Sequence, residues 1–235
     1  MQKVDTGMDT ITDDALTRLM AWLSPAFPVG AYAYSHGLEY AVEAQLVRDE
    51  ASLARWVEGD IAFGAGRVDG AFFADAWRAV AASDERALGE VCDRAVAMRG
   101  TAELALESTQ QGESFIRTLR ETAPSEALAR FAKAIPIHAY PTAVAIAAAT
   151  SQIPLRPALL AYTHAFAANL VSAGVRLIPL GQMAGQRIID GLRPAIVAST
   201  DAAMKQRSHE TGSAAAMIDW ASIKHETQYT RLFRS

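Results

Sequence analysis

Apolar residues recur three and four positions apart along most of the chain, the period of an α-helix with one buried face. Leu53, Trp56, Val57 and Ile61 form one stripe, Phe73, Ala76, Trp77 and Val80 a second, and Leu88, Val91, Cys92, Ala95 and Val96 a third. Two-residue alternation is almost absent, so the pattern predicts an all-α protein. Ser83 is placed to cap the third of these helices, and Pro124-Ser125-Glu126 opens another with a proline and a first-turn acid. Pro141 and Pro157 begin two more, and the prolines at 136, 141, 154, 157, 179 and 194 punctuate the second half. These signals divide the chain into about nine or ten helices of roughly 10–20 residues.

No Ser/Gly-rich linker, low-complexity tract or fixed-period repeat interrupts the pattern, which predicts a single-domain bundle over residues 15–221. Residues 1–14 lack the period and are expected to be disordered. The segment 222–235 has too few apolar residues for a stable terminal helix, yet it ends with Leu232 and Phe233 between Arg231 and Arg234, which is odd for a free end. That tail is expected to dock on another protein.

Two uncharged stretches, 134–155 and 157–175, approach the ~20 residues that cross a bilayer. The first carries Pro136, Pro141, Pro154 and His138, and the second His164, Asn169 and Ser172, so both read as buried core helices. Of the 235 residues 51% are hydrophobic and 20% charged, the balance of a chain with a packed core. A net charge of −4, from 22 basic and 26 acidic residues spread along the chain, offers no basic face to nucleic acid or anionic lipid. Cys92 is the single cysteine, which suits a reducing compartment, and the acidic N-terminus lacks the apolar core of a secretion signal. A cytoplasmic location is expected.

Catalytic and metal motifs are near misses. Ala33-Tyr34-Ser35-His36-Gly37 is one residue short of a G-x-S-x-G elbow, but an elbow needs a parallel α/β sheet and the chain shows no βα alternation. A serine hydrolase using Ser35 is the competing enzyme reading, and a local cap is the bland one. His225-Glu226-Thr227-Gln228-Tyr229 starts like H-E-x-x-H and lacks the second histidine, while the five histidines are scattered without i, i+4 pairing. Gly64-Ala65-Gly66-Arg67-Val68-Asp69-Gly70 fits neither nucleotide-binding glycine pattern and reads as an interhelical turn. These patterns predict no catalytic residue, no tight metal site and no nucleotide site.

Three blocks carry a family resemblance. They are Leu23-Ser24-Pro25-Ala26-Phe27-Pro28-Val29-Gly30-Ala31-Tyr32-Ala33-Tyr34-Ser35-His36-Gly37-Leu38-Glu39, the run from Ser172 through Gly174, Arg176 and Pro179 to Gln182 with Gly185-Gln186-Arg187, and His225-Glu226 with Tyr229 to Ser235. In this order they resemble the urease accessory protein UreF family from about Leu16 to the last residue. Ala31, Ala33 and Gly174 depart from its usual residues, and residues 101–125 match only loosely.

The resemblance implies an all-α homodimer acting as a chaperone in nickel insertion. It would bind a UreD/UreH accessory protein and recruit the UreG GTPase, coupling GTP hydrolysis to nickel delivery into apo-urease. Nickel and GTP would be handled by those partners, so the chain itself carries no cofactor. The implied GTPase-docking pair is Tyr32 with Arg231, with Glu39 and Arg176 at or near the same surface. Leu232, Phe233 and Arg234 are implied to pack on the UreD/UreH partner, with Phe233 folded onto its own core as the alternative. The tail is expected to take its working shape only in the complex. A helical binding module unrelated to urease is the other reading.

Overall fold

Five helices begin at a short polar side chain that accepts an otherwise unpaired backbone amide. In the computed structural model, which describes residues 10–235, Thr12 caps α1 (Asp13–Trp22) and Asp49 caps α3 (Glu50–Phe63), with the six-residue α2 (Leu38–Glu43) between them. α4 (Ala65–Ala81) is followed by α5 (Glu85–Ala97), capped by Asp84, α6 (Ala102–Thr122), capped by Thr101, and α7 (Glu126–Ala134), capped by Ser125. α8 (Tyr140–Thr150), α9 (Leu155–Leu177), α10 (Gln182–Ala203) and α11 (Ala216–His225) complete the order. The described residues contain no strand. Ten of these helices run nine residues or more, as the punctuation predicts, and α2 is too short to display a period.

The local departures have simple causes. Ser83 does not cap α5: it takes a left-handed φ of 54° to end α4, which leaves the capping to Asp84. The glycine-rich run is mostly helix, because Gly64 alone separates α3 from α4. Pro194 lies inside α10 and does not end it. At the N-terminus, Thr12 starts α1 within the stretch expected to be disordered, while residues 1–9 of that stretch lie outside the described residues.

The core has two large parts. In one, α8 is buried on nearly every side by α4, α6, α7 and α9, and its Ala-rich sequence allows the close approach. In the other, α3, α9 and α10 pack Leu53, Val57, Ile61, Leu170, Val171 and Leu192 together with Leu38 of α2. α9 is long and apolar enough to cross a bilayer by length and composition, but half of its most apolar window is buried within this bundle.

The chain end is ordered, contrary to the expectation for the free protein. α11 runs three residues beyond 222 because Ala221, Ser222 and His225 are buried against α2 and its neighbours. Phe233 is 4% exposed and belongs to the second core, and Ser235 is fully buried.

Candidate functional site

The tail is held by the loop in the second half of the first signature block. Gly30 and Gly37 take left-handed φ angles of 75° and 73° on either side of a 3₁₀ turn, Ala31–Ala33. A Cβ on Gly37 would meet the Ser222 backbone nitrogen at 2.5 Å, so glycine both permits the turn and admits α11. Along the seam, Arg234 N donates to Ala33 O (2.8 Å) and Ser35 N to an oxygen of the Ser235 α-carboxylate (2.8 Å), while Ser35 Oγ donates to the same oxygen at 2.5 Å. Ser35 is thus fully buried and engaged, without the exposure or the sheet that a nucleophile elbow requires.

Glu39 sits at the centre of the seam. It is 8% exposed, and its carboxylate accepts the amides of Leu232 (2.6 Å) and Phe233 (2.8 Å) and lies 3.3 Å from His225 Nε2. Glu39 is therefore a buried clamp on the tail and not part of a solvated helix face. His225 Nδ1 lies 2.6 Å from Glu103 Oε2, and the other Glu103 oxygen accepts from Arg231 Nη1 at 2.5 Å. Arg231 thus closes a chain of polar side chains, Glu39–His225–Glu103–Arg231, that runs from the interior to the surface.

Tyr32 is 69% exposed, and the guanidinium that reaches it is that of Arg176: Nη1 donates to the Tyr32 carbonyl at 2.8 Å. The same guanidinium lies 4.6 Å over the Phe233 ring, a cation–π contact that fixes Phe233 against α9. Partial burial lowers the Arg176 pKa from its ordinary value. The structure therefore joins Tyr32, Arg176 and Phe233, and engages Arg231 with Glu103 instead of with Tyr32. Leu232, 69% exposed, and Arg234 remain on the surface, whereas Phe233 faces inward.

Beneath the seam lies a buried ion pair that the sequence reading missed. His36 Nε2 is 3.0 Å from Glu107 Oε1, and Nδ1 is 3.7 Å from Asp60 Oδ2. Gln111 donates to Glu107 Oε1 (2.8 Å), and Ser235 Oγ donates to Glu107 Oε2 (2.6 Å). Burial disfavours the imidazolium, but Glu107, Asp60 and Asp69 outweigh it and raise the His36 pKa to about 9. Burial also pushes Asp60 up to about 6, against the pull of His36. A cavity of about 240 Å³ adjoins the pair, lined among others by Phe27, Asp69, Arg99, Tyr140 and Tyr162.

Glu103 and Glu107 lie in α6, within the loosely matching stretch. A signal was present: Glu107, Ser108 and Gln111 continue towards the N-terminus the helical stripe of Phe115, Ile116 and Leu119, which places polar groups on a buried face. Among the described residues, no group of three or more His, Cys, Asp or Glu side chains is placed to hold a metal ion.

The sequence model of the UreF family matches residues 47–193, more than half of the chain. The chain belongs to the UreF family. It is 50% identical over 222 residues to the urease accessory protein UreF of Rhodopseudomonas palustris (strain HaA2), covering 94% of each chain. A protein of the same name from Granulibacter bethesdensis is 48% identical over 224 residues, 95% of each chain. The one from Xanthobacter autotrophicus is 48% identical over 230 residues, 97% of this chain and 95% of that one. Membership in the UreF family implies a role in urease maturation and makes the chain an accessory protein. The unrelated binding module is thereby set aside. In this family setting the seam joins the first signature block to the last, with the central block supplying Arg176.

Proposed function

We propose that the chain is a docking scaffold for nickel insertion into urease. It binds a UreD/UreH accessory protein through an apolar strip on α11 and presents the loop around Tyr32 to the UreG GTPase. The strip is the observation that carries this reading. Met217, Trp220 and Ile223 follow one another at three-residue spacing on α11 and are all exposed. Met217 borders an open groove lined also by Leu46, Trp56 and Phe63. Exposed apolar side chains grouped on one helix face suit a protein-binding surface, and aromatic side chains commonly anchor one. Exposed Leu232 adds an apolar side chain from the tail.

The second face is different in chemistry. Tyr32 lines an open groove with Tyr34, Arg117 and Arg234. Guanidinium forks beside an exposed aromatic ring suit a partner offering carboxylates and carbonyls. On this reading the GTPase supplies the nucleotide site and the nickel ligands, and this chain, as a cytoplasmic homodimer, supplies relative position without catalysis. The complex would couple GTP hydrolysis to metal delivery into apo-urease.

Co-expression with UreD/UreH- and UreG-type proteins, followed by mass measurement of the intact complex, tests both faces. Met217→Asp combined with Ile223→Asp is expected to abolish the complex with the UreD/UreH-type protein while the melting temperature stays within a few degrees of wild type. Full-strength co-purification of that double variant would remove the assignment. Tyr32→Ala is expected to weaken GTPase recruitment and leave melting unchanged.

A further inference from the structure

We propose that the charge on His36 works as a latch for the C-terminal tail, so that the protonated imidazole keeps residues 231–235 docked and its neutral form releases them. Glu107 is a carboxylate that is 5% exposed and stands between His36 on one oxygen and the Ser235 hydroxyl on the other. The other groups that hydrogen-bond to Glu107 in this seam, the Gln111 amide and the Ser235 hydroxyl, are neutral donors, while the Ser235 α-carboxylate held by Ser35 adds a further buried negative charge. Only the imidazolium compensates its charge directly.

The groups facing His36 come from every element packed around it. They are Glu107 from α6, Asp60 from α3, Asp69 from α4 and the Phe166 ring from α9, at 5.2 Å between centroids. Asp69 is itself paired with Arg99 at 2.7 Å and accepts from Tyr162 at 2.7 Å, so it is already balanced. Asp60 accepts the Ala65 amide at 2.7 Å through Oδ1, and its Oδ2 has no hydrogen-bond partner. Removing the proton from His36 leaves Glu107 and Asp60 as buried charges without a counter-ion, which is strongly unfavourable. The economical escape is local: the last residues lift, Ser235 leaves Glu107, and water reaches the carboxylate. Ser35 links the same movement to the backbone, because both its nitrogen and its hydroxyl donate to the Ser235 α-carboxylate.

The sign follows from the direction of the shift. His36 is raised to about 9 from the 6.5 of a free imidazole, and the part of that shift relieved when the tail lifts and water reaches Glu107 is stabilisation of the docked state that is present below pH 6.5 and lost as pH climbs through 9. Asp60, raised to about 6, acts in the same direction but in a lower window, from its ordinary 3.8 upward, so the two titrations separate.

The test uses the full chain with 4-fluorophenylalanine placed at position 233 and follows ¹⁹F NMR from pH 6 to 10. A docked ring beneath the Arg176 guanidinium and a free ring give distinct resonances. The free-to-docked ratio is expected to rise at least about tenfold between pH 6.5 and 9, with helical circular dichroism unchanged. His36→Gln is expected to raise the free population at pH 6.5 and to flatten the profile across that window. A wild-type ratio that stays constant with pH overturns the proposal, and so does a His36→Gln profile that matches wild type. Should His36→Gln lose its helical signal, Ser235→Ala takes its place. That variant cuts the side-chain link to Glu107 and is expected to raise the free tail at pH 7 in a folded protein; an unaltered docked resonance would overturn the latch.

Discussion

Phe115 and Phe233 are both buried, at 0% and 4% exposed, but they are held by different physics. Phe115 sits on α6 among Trp22, Phe27 and Tyr140, with ring centroids 6.1, 5.2 and 6.0 Å away, so its place is fixed by non-directional packing between helices. Phe233 sits on an extended tail whose backbone is tied to Glu39, Ala33 and Ser35 by directional bonds, and a guanidinium covers its ring. The first environment can be vacated only by unfolding the bundle. The second can be vacated by lifting a few residues. A core of packed side chains therefore sets global stability, whereas a seam of partnered polar groups sets a local equilibrium that a partner protein can use.

Phe115→Ala makes the sharpest contrast and has the largest expected effect. It should destabilise the whole protein by about 3–5 kcal/mol in urea unfolding, with every probe moving together. Phe233→Ala should cost less, about 1–3 kcal/mol, because the tail can leave its site and cap the loss. Its amide exchange should rise over residues 231–235 and not in α8. Equal global destabilisation by the two variants would erase the distinction between core and seam.

Glu39→Gln comes next. The amide keeps one acceptor for the two backbone donors of Leu232 and Phe233 and removes the charge facing His225. An expected loss of about 1–2 kcal/mol should appear as faster exchange in the tail, with the urea midpoint nearly unmoved. Arg231→Ala is the mildest, because its bond to Glu103 is partly exposed, and a change of about 0–1 kcal/mol is expected by thermal melting. A larger effect would mean that the polar chain through His225 and Glu103 acts as one unit.

Much of the scaffold was legible because its determinants are local. The stripes of α3, α4 and α5, the Ser125 cap, and Pro141 and Pro157 in the first turns of α8 and α9 all act within one or two helical turns. The first-loop and tail blocks were also visible as unusual sequence. What they do to each other was not. His36 and Glu107 are 71 residues apart, Glu39 and Phe233 are 194 apart, and Ser35 and Ser235 are 200 apart. Arg176 likewise meets Tyr32 and Phe233 only after α9 has packed beside the loop.

By itself, then, the sequence determined the helical class, the starts of α7, α8 and α9, the family and the residues worth watching. Only the tertiary structure decided that Glu39 clamps the tail, that Arg176 takes the place beside Tyr32 expected for Arg231, and that Phe233 turns inward. The physical reason lies in how each kind of interaction is encoded. Helical period and capping depend on neighbours in the chain, so they can be read along it. A buried ion pair depends on which charges desolvation leaves facing one another, and that is fixed only when distant segments close around them.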